Sequence, residues 1–98
     1  MTDSMINRGA KFRMMELYND SDLWNYEVVN KIATERNQTS QFMKNSFNFD
    51  LIELHASGFL EEVEVDVDEE GSKWGAGRVI TKYHISDLGK AEYQWMCN

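Results

Sequence analysis

The sequence predicts an α+β domain with elements in the order α-α-α-β-β-α, and three stretches carry that expectation. "EEVEVDVDEEGSKWGAGRVITKYHIS", residues 61–86, alternates valines with charged residues on either side of a glycine-rich turn, the pattern of a β-hairpin. "FNFDLIELHASG", residues 47–58, spaces Phe47, Leu51 and Leu54 along one helical stripe and closes on a glycine. Ser86 then stands directly before "DLGKAEYQWMC", where a hydroxyl N-cap opens a last helix.

Taken in order, residues 1–8 read as a loose, flexible start, and the domain proper is expected to span 9–98. Phe12, Met15 and Tyr18 recur at helical spacing within "GAKFRMMELYN". "NDSD" supplies N-cap candidates, Ser21 and Asp22 the best placed, for a second helix through "LWNYEVVNKIATER", with Leu23, Trp24, Val28 and Ile32 on or near one stripe. Thr39 or Ser40 caps a third helix to about Ser57, and Gly58 supplies a left-handed C-terminal cap. The two-stranded hairpin follows. Aligning its apolar faces puts Val63, Val65, Val67, Val79, Thr81, Tyr83 and Ile85 toward the core. Glu62, Glu64, Asp66 and Asp68 then share the outer face with Arg78, Ile80, Lys82 and His84.

Ninety-eight residues with 42% hydrophobic content and twelve aromatics suffice for one domain with a real core. No apolar run reaches the length of a membrane span, no signal-peptide pattern opens the chain, and Cys97 is the single cysteine. These features lead us to expect a cytoplasmic protein. The net charge is −7, and its placement is uneven. Residues 1–45 balance six bases against six acids, whereas 46–98 carry four bases and eleven acids, seven of them between Glu61 and Glu70. Such a balance opposes loose binding to nucleic acid and leaves specific binding to local patches.

Three stretches carry a resemblance. "FNFDLIELHASGFLEE" resembles the recognition helix and its exit in MarR- and PadR-like regulators, through Phe47, Leu51, Leu54, Gly58, Phe59 and Leu60. "GRVITKYHISDLGKAEY" is similar to the return strand of that superfamily and the turn after it, with Tyr83, Ile85, Ser86 and Gly89 in place. "NYEVVNKI" resembles the start of the second PadR-like helix, with Asn25 where a glycine usually stands. The match covers roughly residues 12–95. It implies a winged helix with residues 40–57 as recognition helix and 61–85 as a two-stranded wing. It further implies double-stranded DNA as partner, transcriptional control, and a homodimer. The tyrosine expected early in the recognition helix falls at Asn48, and the usual bases on that helix are missing.

A helix turns 100° per residue, so Phe47, Leu51 and Leu54 face inward, and Asn45, Phe49, Ile52 and Ala56 face outward. Asparagine suits adenine, and apolar groups suit the thymine methyl. The candidate DNA contacts are therefore Lys44, Asn45, Ser46, Asn48 and Phe49 on the helix, with Lys73, Trp74 and Arg78 at the wing. Phe49, Ile52 and Ala56 are equally the candidate face for a protein partner. In that second reading the chain is an acidic interaction module or inhibitor that does not bind DNA. Trp74 either reaches a partner or folds back onto the hairpin.

No cofactor is expected. "DVDEEG" imitates the opening of a calcium loop, but the twelfth position is Gly77 and lacks the bidentate carboxylate. His55 and His84 have no companions at ligand spacing, and Cys97 has no identifiable base, so no enzyme is read here.

Overall fold

The structure is a computed structural model that describes residues 9–97. The flexible segment expected at 1–8 lies outside the described residues. Among the described residues, four helices and three strands follow one another as α1 (Ala10–Asp20), β1 (Leu23–Trp24), α2 (Asn25–Arg36), α3 (Gln41–Ala56), β2 (Leu60–Asp68), β3 (Arg78–Ile85) and α4 (Asp87–Cys97). The strands form an antiparallel sheet in the order β1-β3-β2. Among the described residues, no helix is long and apolar enough to cross a membrane.

The third strand corrects the expected two-stranded hairpin. Leu23 and Trp24 pair with Tyr83 and Lys82 of β3, and helix α2 begins only at Asn25. Neither Ser21 nor Asp22 caps it. The Trp24 N–H instead donates to Glu27 Oε1 at 2.9 Å, one half of a capping box. Leu23 and Trp24 fit the helical spacing, but their pairing with β3 satisfies backbone groups that a frayed helical end would leave open.

The other helix boundaries follow from their caps. Ser40 Oγ accepts the Met43 N–H at the start of α3. At its end Phe59 N–H reaches the Leu54 carbonyl and Gly58 N–H reaches that of His55, a Schellman closure with Gly58 at φ +86°. Asn37, at φ 55°, closes α2 in the same way, with Gln38 N–H on Ala33 and its own N–H on Thr34. Ser86 Oγ accepts the Gly89 N–H and donates to the Gly58 carbonyl, tying the start of α4 to the end of α3.

The core lies between α1, α2, α3 and the root of the hairpin. Met14, Met15, Tyr18, Val28, Val29, Ile32, Phe47, Leu51, Leu54, Leu60, Tyr83 and Ile85 are buried there in one cluster. The α3 stripe therefore faces inward as its spacing predicts.

The hairpin departs from expectation at three points. A bulge between Glu62 and Glu64 shifts the register, so that Glu62 lies opposite Tyr83 while Glu64 lies opposite Lys82. Glu62 thus leaves the outer face where alternation put it. Beyond the bulge Val65 and Val67 do share a face with Thr81 and Val79, but that face is bare: Val63, Val65, Val67 and Val79 are 51%, 58%, 44% and 58% exposed. The hairpin outruns the body that would cover it. Ile80 and Asp68, both expected outside, are buried.

Candidate nucleic-acid interface

The outer side of α3 presents the residues expected there. Asn45, Ser46, Phe49, Ile52 and Ala56 are exposed, and Phe42, which the outward set had not included, is the most exposed large apolar side chain of the helix at 79%. Gln41 Nε2 donates to Asn45 Oδ1 one turn on, which orients that amide along the surface. Lys44 is half-buried and makes no ion pair among the described residues. Glu53, the acid nearest a phosphate path along this side, is held by Lys11 Nζ at 2.7 Å. That contact also fixes α1 beside α3.

Asn48 has a second task. Its Oδ1 accepts from Asn25 Nδ2 at 3.0 Å, while Asn25 Oδ1 accepts the Thr81 N–H at 3.0 Å. Asn25, 4% exposed, therefore joins the start of α2, the middle of α3 and the inner strand of the sheet. Burying an amide is tolerable only with its hydrogen bonds made, and here both ends are used. In the sequence Asn25 stands merely where a glycine is usual, and nothing local shows this junction beyond a polar residue at the first position of a buried helix start.

The wing tip is built around one carboxylate. Asp68 Oδ2 accepts the N–H groups of Lys73, Trp74 and Gly75 at 3.0, 2.6 and 2.9 Å, and Oδ1 accepts that of Gly71 at 3.1 Å. The Asp68 carbonyl takes the Gly77 N–H. These backbone donors, Gly75 and Trp74 foremost, hold the carboxyl near pKa 2, well below the ordinary aspartate value. Glycine is required in this loop, since Gly71, Gly75 and Gly77 all take positive φ and a Cβ on Gly71 would meet the Ala76 backbone at 2.9 Å. Asp68 is thus a structural anion turned into the loop rather than one more outward repulsion.

Trp74 folds back. It is partly buried against the core cluster, and the Arg78 guanidinium lies 4.7 Å above its ring centroid. Lys73 and Arg78 remain exposed, flanking it. The hollow beneath the tip is lined by Asp66, Asp68, Glu69, Glu70, Ser72 and Lys73. Among the described residues, no three His, Cys, Asp or Glu side chains converge to hold a metal ion.

Charge is segregated along these elements. Residues 36–49, the α2–α3 turn and the first half of α3, contain no acid and hold Arg36 and Lys44. Residues 71–86, the tip and return strand, also contain no acid and hold Lys73, Arg78 and Lys82. The acids of the hairpin lie instead on β2, the edge strand, and at the entry to the turn. His84 Nδ1 meets Asp22 Oδ1 at 2.7 Å, and its ring belongs to that contact rather than to an open face. No protein-family model, curated protein or solved structure matches this chain.

Proposed function

We propose that this chain is a winged-helix DNA-binding module acting in transcriptional control, with the first half of α3 as reading helix and the hairpin tip as a backbone contact. The observation that carries the reading is the pair of acid-free, base-bearing segments, 36–49 and 71–86, in a chain of net charge −7. The order α1-β1-α2-α3-β2-β3-α4, with β3 central in the sheet, supports a winged helix with a short first strand. In such an arrangement the N-terminal part of the reading helix enters the major groove, where Asn45 and Ser46 meet base edges and Phe49 meets a thymine methyl. Lys44, Lys73 and Arg78 hold phosphates. Asn48 supports the helix through Asn25 and contributes orientation rather than readout.

Fluorescence anisotropy with duplex fragments, titrated over several salt concentrations, tests this. Log affinity should fall linearly with log salt, and removing Lys44 or Lys73 should each reduce the slope by about one. Absence of binding at low salt sinks the proposal.

One observation favours a second reading. Phe42, Phe49 and Ile52, at 79%, 58% and 46% exposure, form an apolar row along α3 of the kind that marks protein interfaces. On that reading the same face takes a protein, and the acids of β2 keep polyanions away. Phe49→Asp would then abolish a protein complex, while Lys44→Ala would leave it intact.

A further inference from the structure

The uncovered part of the hairpin carries an inference independent of DNA. Among the described residues, strand β2 lies at the sheet edge, with β3 as its one strand neighbour. Its two faces differ. One bears Val65 and Val67 in a row with Thr81 and Val79, and all three valines are exposed. The other bears Glu64 and Asp66, opposite Lys82 and Ile80. The far end of the edge is closed, because the Val67 N–H donates to Asp66 Oδ1 and its carbonyl accepts from Glu69. The open stretch is Glu61 to Asp66.

We propose that this edge receives an extended segment of another protein in which apolar residues alternate with Lys or Arg, added as a fourth strand. An added strand places its own alternate side chains beside both rows at once. Its apolar residues would cover the valines, and its bases would lie beside Glu64 and Asp66 on the opposite face. A second copy of this chain fits badly. Pairing β2 with itself so that the valine rows share one face sets acid opposite acid. The acids and the bulge at Val63 are devices that keep neutral or acidic strands off an edge, and a basic strand is the partner they admit.

The test uses a labelled peptide of about ten residues alternating Lys and Val, long enough to span an average strand. Anisotropy should report binding, and amide exchange should slow at residues 61–66. The double variant Glu64→Lys/Asp66→Lys should bind roughly tenfold more weakly. Val65→Lys, on the other face, should weaken binding as well while leaving the fold unchanged. Equal binding of a block peptide of the same composition, with no slowing at 61–66, would overturn the proposal in favour of diffuse attraction to acids. Equal slowing by an alternating Glu/Val peptide would overturn the charge argument. Slowing that rises with protein concentration and needs no peptide would assign the edge to a second copy.

Discussion

The two ends of the hairpin are held by different physics. At its root Leu60, Tyr83 and Ile85 are buried, Ser86 Oγ bridges Gly58 and Gly89, and the Phe59 carbonyl accepts the Ser86 N–H. At its tip the valines are exposed, and the loop is ordered around one carboxylate with four backbone donors. Both ends share the same alternation of residue types, yet the valine row beyond the root stands uncovered, and from the tip it is Trp74 that folds back onto the core cluster. Beyond the bulge, period-two alternation therefore fixes which side chains share a face, whereas the reach of the helices fixes whether that face is dry. Order at the root depends on apolar burial and close approach, and order at the tip on the Asp68 carboxylate together with the folded-back Trp74.

The largest expected effect lies at the root. A Cβ on Gly89 would run into the Phe59 carbonyl oxygen and lie 2.8 Å from Ile85 Cγ1. Gly89→Ala must then push α4 away from the start of β2, at a cost of about 3 kcal/mol, or roughly 12–24 °C of melting temperature. A loss below about 0.5 kcal/mol would mean that α4 yields freely and the root is no tighter than the tip. Next comes Asn25→Ala, which strands the Thr81 N–H and frees Asn48. Denaturant unfolding should show a loss of about 2 kcal/mol.

The tip, ordered around Asp68, should respond to pH where the root does not. Asp68 titrates near 2 in the folded chain and near 3.9 when unfolded. A depressed carboxylate pKa contributes stability that is whole above about pH 4 and is lost as pH falls through about 2. Trp74 fluorescence should follow that loss ahead of the helical signal. Asp68→Asn should flatten the response across this window and unprotect the amides of Gly71, Lys73, Trp74 and Gly75 at neutral pH. If those amides stay protected in the variant, the glycine turn orders itself and the contrast between the two ends fails. Smallest of all, Val79→Ser at a 58% exposed position should shift stability by no more than about 0.5 kcal/mol.

Much of this was legible in the chain. The Phe47–Leu51–Leu54 stripe, the Ser40 cap, the Gly58 closure and the Ser86 cap each depend on neighbours within a few residues, and local spacing reveals them. Strand β1 was not legible, because two residues carry no period and Leu23 and Trp24 continue the helical spacing of Val28 and Ile32. The bulge at Val63 was hidden by a regular valine alternation that pairs plausibly without it. Of the candidate contacts, the outward set on α3 followed from the 100° turn alone. Asn48 and Asp68 gained their roles from partners, Asn25 for the first and the folded-back loop for the second, that spacing along the chain does not bring together.

The most direct test of the proposed function is a residue-by-residue amide chemical-shift map of the chain titrated with a duplex from upstream of its own gene. Shifts should concentrate in 36–49 and at the tip around Lys73 and Arg78, with Glu61–Asp66 silent. Shifts confined to Glu61–Asp66, or no shifts at low salt, would contradict the proposed function.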